Sequence, residues 1–352
     1  MVSGYCGNKA ATFPLQLLGF DVDVMNSVNL SNHTGYPSWT GEVATGEQLT
    51  KLFEGLETNG LSEYTHLLTG YIGSAQKLAA VSKIVKKLHC QSDVFFVMDP
   101  VMGDNGELYV QPDVIPLYRE MMKYAKAITP NQFEAETLAD KKITNVKTCL
   151  EVIDALHAAG AKNVVITSVS LSRSDIAANL ASRGLGFEDR VPEEPLPLTR
   201  PSLSEESVQS FSEDDISMYC VCSNGENVFA IAFPTYDGYF TGTGDLFSAL
   251  LVARLEESLR KGEVDASVTN GSVHCVPPKE LVQACLKVVA TMKAVVLRTF
   301  QAQEGVGGRS IDRAIQSSSA VVKRCELRLI QSKHDIEYPD VNGFIAVELR
   351  RK

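Results

Sequence analysis

Apolar and polar positions fall into blocks of two different periods along the chain. EYTHLLTGY (63–71) reads as a buried strand running into a turn. Leu78, Val81, Ile84, Val85 and Leu88 then share one face of a helix over 74–89. DVFFVMDP (93–100) is a buried strand stopped by Pro100, and residues 112–123 form an amphipathic helix with Pro112 near its start. AKAIT (125–129) is a short strand before the helix that begins at Pro130 and NQFEAETLA. Residues 147–160 form a helix ending at Gly160, and KNVVITS (162–168) is a strand again. Alternating strands and helices predict an α/β fold with a mostly parallel central sheet and helices on both faces.

The two ends of this pattern are less regular. The chain begins with a loop and a helix (8–18), followed by a strand, GFDVDVMN (19–26). Doubly wound domains open on a strand, often a central one, so the first strand is expected to be missing here. Residues 169–215 break the alternation. The part from 188 to 215 carries nine acidic residues, two basic residues, four prolines and five serines, too little apolar surface to offset ordering entropy. It reads as a disordered acidic insertion in a single domain spanning 1–352, with a second irregular insertion at 261–276. ISMYCVC and NVFAIAF read as a hairpin around Asn224-Gly225, and a long helix follows over 278–300.

Composition narrows the function by exclusion. The net charge of −10 argues against nucleic acid as a partner. No apolar run reaches the roughly 18 residues of a membrane span. Residues 1–13 lack a basic-then-apolar leader, so a cytoplasmic setting is expected. The eight cysteines include no CxxC pair, and alternation sends Cys220 and Cys222 to one face of a strand as buried thiols.

The sharpest chemical signal is Gly242-Thr243-Gly244-Asp245 before an almost wholly apolar helix. Glycines let backbone N–H groups converge on an anion, and the helix N-terminus adds a positive dipole. A phosphoryl group gathering charge would suit that place, with Asp245 as base; an ordinary N-cap aspartate is the plain alternative. Rival motifs fail: the Gly41 to Gly46 spacing is followed by Glu47 where GxxxxGK needs lysine, and Phe247 replaces the third glycine of GxGxxG. Three further polar groups close strands: Asp99 to Asp104 (DPVMGD), Thr129 to Glu134 (TPNQFE), and Thr167-Ser168. Strand ends are where open α/β sheets bind ligands, and Mg²⁺ takes one or two carboxylates plus phosphate oxygens. Turn-forming aspartates and an N-terminal cap at Asn131 and Glu134 also account for these residues one by one.

Taken together the residues resemble the pyridoxal kinases of the ribokinase-like superfamily. The likeness spans nearly the whole chain: GYxGNxAATFPLQ (4–16), NSVxxSNHTGY (26–36), LTGY (68–71), DPVMGD (99–104), ITPNQFEAE (128–136), VVITS (164–168), GTGDLFSA (242–249) and ELRLIQSKHDIEYPD (326–340). SNHTGY and the C-terminal block are similar to the eukaryotic members in particular. The resemblance implies ATP-dependent phosphorylation of the 5′-hydroxyl of pyridoxal, pyridoxine or pyridoxamine, with Asp245 as general base. It implies an anion hole from Gly242, Thr243 and Gly244, substrate contacts at Thr34 and Tyr71, and nucleotide contacts at Asn131, Thr167 and Ser168. Asp104 and Glu134 correspond to residues around Mg²⁺. Asp99, Thr129 and Thr167 correspond to groups near a monovalent cation such as K⁺ and the phosphates. A homodimer is implied as well. The family opens on a central strand ending in a serine that touches the pyridine ring, and this chain starts just after it. Sequence upstream of Met1, or a divergent product, would account for that. Another kinase of the superfamily, such as a hydroxymethylpyrimidine kinase, and a catalytically impaired binding protein are the alternatives.

Overall fold

The structure is a computed structural model and describes residues 1–181, 216–265, 276–303 and 318–351. The first elements are α1 (Asn8–Leu17), a small antiparallel pair β1 (Val28–Leu30) and β2 (Gly41–Val43), and α2 (Gly46–Thr58). β3 (His66–Thr69), α3 (Ala75–Gln91) and β4 (Phe95–Met98) follow, then the two-residue pair β5 (Gly103–Asp104) and β6 (Glu107–Leu108). Next come α4 (Ile115–Met121), β7 (Ala127–Ile128), α5 (Gln132–Ala139), α6 (Val146–Ala158), β8 (Val164–Ser172) and α7 (Arg173–Ala181). The chain continues through β9 (Ile216–Ser223), β10 (Val228–Phe233), α8 (Thr243–Asp265) and α9 (Pro278–Gln303). It ends on α10 (Ser319–Arg324), α11 (Lys333–Glu337) and β11 (Ala346–Leu349).

Seven strands form one sheet in the order β11-β10-β9-β8-β7-β4-β3. Pairing is parallel from β3 to β8 and antiparallel from β8 to β11. Strand alternation sends neighbouring residues into two cores. Met98, Ile128, Ile166 and Val221 face one core with α3 to α6. Val97, Ala127, Val165, Cys220 and Cys222 face the other with α1, α8 and α9. Cys285 on α9 packs there with the two strand cysteines, all three free and fully buried, as the alternation required. The side chains of Leu246, Leu250 and Leu255 are completely buried, which explains the nearly all-apolar start of α8. Truncating any one to alanine would cost about 2–5 kcal/mol.

Several sequence expectations need correction. Residues 19–26 form no strand: the segment meets the edge of β3 through side chains, Phe20 edge-on to His66 at 5.1 Å and Asp23 accepting from Tyr64 Oη at 2.8 Å, and no ladder is formed. An 830 Å³ cleft lined by Phe20, Tyr64, His66 and Glu256 lies beside this contact, at the amino end of β3 and away from the strand ends that carry the chemistry. β3 is outermost in this sheet among the described residues. β8 runs four residues beyond Ser168, and α7 follows it, so the alternation continues through Ala181. The irregular insertion at 261–276 is helical up to Asp265, where Lys261 and Arg260 pair with Glu257 and Glu256 one turn back. The acidic segment 188–215 lies outside the described residues.

Candidate active site

The carboxyl ends of β3, β4, β7 and β8 converge with the amino end of α8. Asp99 follows β4, and its N–H donates to Thr69 O at 3.1 Å. The N–H of Thr129, after β7, donates to Met98 O at 3.0 Å. Thr167 and Ser168 fall where the β8–β9 register shifts between Ile166 and Val169, so the ladder releases them. Asp99, Thr129 and Thr167 therefore each sit one residue beyond a regular pairing.

The glycine turn closes this row. Gly242 has φ +83°, and a Cβ there would lie 2.2 Å from Tyr5 O. Only glycine meets both demands, and its fit seats the turn directly on residues 5 and 6. Leu246 N–H donates to Gly242 O at 3.1 Å. The N–H groups of Thr243, Gly244 and Asp245 have no hydrogen-bond partner among the described residues, so the positive end of α8 is open to an anion.

Asp245 Oδ2 accepts a 2.7 Å hydrogen bond from the Gly7 N–H. Burial raises the proton affinity of this carboxyl; the Gly7 bond and the Cys6 thiol pull it back down. Burial and the Asp245 charge in turn push the Cys6 thiol far up, so it stays protonated and donates. Cys6 and Gly7 are site residues that the sequence reading missed. The only signal for them was their place in the GYCGN block.

Thr129 Oγ1 lies 2.8 Å from Ser248 Oγ, which in turn bonds Asp99. Ser248 was also missed, although a fully buried serine one turn after Gly244 in an apolar helix was a legible clue. Asp99 Oδ2 is buried without a partner. Burial, then the charges of Glu134 and Asp245, hold the Asp99 carboxyl well above the usual range. Glu134 is 3% exposed and accepts from Met102 N at 2.8 Å, Gly103 N at 3.4 Å and Asn131 N at 2.9 Å. Burial still pushes it up to about 7. Asn131 completes a capping box: its Oδ1 accepts from Glu134 N and its Nδ2 donates to Gly103 O. Asn131 and Glu134 therefore fix the loop that carries Asp104. Asp104 itself is exposed and caps only its neighbour Asn105.

These donors suit cations of a particular kind. Among the described residues no three acidic, histidine or cysteine side chains form a ready metal cage. An orphaned buried carboxylate oxygen beside two further carboxylates nonetheless leaves negative charge uncompensated. That fits a cation whose shell is completed by water and phosphate oxygens.

Thr34 and Tyr71 lie on the loops after β1 and β3. Tyr71 is 41% exposed, its carbonyl accepts from Ser27 Oγ at 2.7 Å, and its ring packs so closely over Gly73 that a Cβ there would meet Tyr71 Oη at 2.8 Å. Thr34 is exposed on the loop after β1, and its hydroxyl bonds nothing among the described residues. No hydrogen bond joins Thr34 or Tyr71 to the glycine turn.

Known proteins resemble this chain over nearly its whole length. A family model described as phosphomethylpyrimidine kinase matches residues 47–188. Sheep (Ovis aries) pyridoxal kinase is 37% identical over 350 residues, covering 97% of this chain and 94% of that protein. Human pyridoxal kinase is 35% identical over 347 residues, again covering 97% and 94%. The solved structure of pyridoxal kinase from Leishmania donovani in complex with ADP and pyridoxamine superposes with a TM-score of 0.70 at 28% identity, covering 99% of this chain and 96% of that one. Likeness at this level, over nearly the full length of both partners, means that the chain belongs to the pyridoxal kinase family.

Proposed function

We propose that this chain transfers the γ-phosphoryl group of ATP to the 5′-hydroxyl of pyridoxal, and likewise of pyridoxine and pyridoxamine. The products are the 5′-phosphate and ADP, and the setting is vitamin B6 salvage. The observation that carries this reading is Asp245: a carboxylate of raised proton affinity beside three free N–H groups of a helix terminus. The substrate oxygen attacks the γ-phosphorus, its proton passes to Asp245, and the bond from the γ-phosphorus to the bridging oxygen breaks to release ADP. The N–H groups of Thr243, Gly244 and Asp245 receive the charge spread over the phosphoryl oxygens. Thr167 and Ser168 face the nucleotide, and Thr34 and Tyr71 face the vitamer.

Mg²⁺ would be held near Asp104 and Glu134, and a monovalent cation such as K⁺ near Asp99, Thr129 and Thr167. When bound, these ions neutralise phosphate charge and relieve the repulsion among the carboxylates. Asn131 acts through its cap and its bond to Gly103 O, positioning that loop. The working unit is proposed to be a homodimer, which light scattering of the purified protein would test.

A hydroxymethylpyrimidine kinase is the second reading, favoured by the family model that matches residues 47–188. A substrate panel with ATP and Mg²⁺ separates the two. Turnover of pyridoxal and little of the pyrimidine is expected; turnover of the pyrimidine alone would overturn the proposal. Binding of both ligands without turnover would identify an impaired binding protein.

A further inference from the structure

Glu326 stands far from the strand ends in sequence and makes no contact with the glycine turn, yet its carboxylate is nearly buried. Its Oε2 accepts from Tyr5 N at 2.7 Å. Its Oε1 accepts from Tyr36 Oη at 2.9 Å and lies 3.2 Å from His33 Nε2. The Gly35 N–H donates to His33 Nδ1 at 3.2 Å, which assigns the imidazole hydrogen to Nε2 and makes Glu326 its acceptor. Burial works against the charged form of this carboxyl. The donors His33, Tyr5 N and Tyr36 outweigh it, so Glu326 is held below the usual carboxylate range as an ionised acceptor.

What the three donors are attached to gives the arrangement its meaning. Tyr5 precedes Cys6 and Gly7, the two residues that donate to Asp245. Its carbonyl is also the atom against which Gly242 packs. His33 and Gly35 bracket Thr34, so the Glu326–His33–Gly35 chain fixes the backbone on either side of that side chain. Approach is close throughout: a Cβ at Gly4 would lie 2.3 Å from Glu326 Oε1. One buried carboxylate thus joins the loop that seats the base to the loop that carries Thr34.

We propose that Glu326 is a positioning residue for phosphoryl transfer, holding residues 4–7 against Asp245 and residues 33–35 at the substrate opening. The inference rests on the kinase reading above, with pyridoxal as the accepting alcohol. Small misplacements of reacting groups cost rate steeply, on the order of 10²-fold for about 1 Å. In the proposed function Thr34 faces the vitamer while Thr167 and Ser168 face the nucleotide, so the clamp acts on the vitamer's loops and not on the nucleotide's. Loss of the clamp would therefore damage use of the vitamer and spare use of ATP.

The test is steady-state kinetics of the full chain, varying pyridoxal and ATP separately, for wild type, Glu326→Gln and Tyr36→Phe, with melting temperatures recorded beside them. Glutamine cannot accept from all three donors at once, and phenylalanine removes one donor while keeping the ring. Glu326→Gln is expected to lower kcat/KM for pyridoxal by roughly 10-fold to 100-fold. Its KM for pyridoxal should rise, while its KM for ATP stays within about twofold; Tyr36→Phe should show a smaller change of the same kind. A purely structural role would reduce the active fraction, lowering kcat alone and leaving both KM values unchanged, and that result overturns the proposal. Should Glu326→Gln not fold, Tyr36→Phe decides: a raised pyridoxal KM at unchanged ATP KM supports the clamp, and unchanged kinetics overturn it. Wild-type protein that turns over no pyridoxal in the same assay would withdraw the kinase reading and this inference together.

Discussion

Asp245 Oδ2 accepts a 2.7 Å hydrogen bond from the backbone N–H of Gly7, 238 positions earlier in the chain. The bond does two things. It orients the carboxylate at the mouth of α8, and it stabilises the charged form against burial. A base that must be ionised to accept a proton, yet basic enough to hold it, is served by this balance.

The Cys6 thiol is the second donor to that carboxylate. Cys6→Ala removes a group that favours the charged form, so the proton affinity of Asp245 should rise further. The base then forms only at higher pH, and the acid limb of kcat/KM against pH should move upward. A limb that stays in place or moves to lower pH would show that the thiol does not tune the base.

Gly242 and Gly244 should respond differently to the same change. Alanine at 242 must adopt φ +83° and place its Cβ against Tyr5 O. A loss of at least about 1–3 kcal/mol is expected in urea unfolding, together with most of the activity. Alanine at 244 would meet only Asp99 Oδ2, at 4.0 Å, so stability close to wild type is expected there. Equal destabilisation by both variants would contradict the packing described for the turn.

Glu134 holds its proton more tightly folded than unfolded. Its contribution to stability is fully present below about 4.5 and is lost as pH rises through about 7. Without divalent cations, the melting temperature of the wild type should therefore fall relative to Glu134→Gln between about pH 5 and about pH 8, by a few degrees. Parallel curves for the two proteins would show that Glu134 does not titrate in this window. Added Mg²⁺ and nucleotide should reduce the difference, since a bound cation favours the ionised carboxylate.

Local chemistry in the chain was readable, and partnership across it was not. The Gly242–Asp245 turn could be read because glycines and an apolar helix lie together in sequence. The thiol face of β9 followed from a period of two. Gly7 and Glu326 gave no comparable signal, since each matters through a partner more than two hundred positions away. Phe20, Val22 and Val24 alternate like a strand, but the segment meets the edge of β3 through the Phe20 and Asp23 side chains and forms no ladder with it. β11 was missed for the converse reason. Its four residues are unremarkable alone and become a strand through pairing with β10.

The central claim is that Asp245 is the base for phosphorylation of the vitamer. The direct measurement is kcat for pyridoxal with saturating ATP and Mg²⁺, comparing wild type with Asp245→Asn and measuring nucleotide affinity by calorimetry in parallel. A fall in kcat of about 10²-fold to 10⁴-fold, with ATP affinity within a few-fold of wild type, is the predicted result. An Asp245→Asn protein that keeps kcat within about threefold of wild type would contradict it.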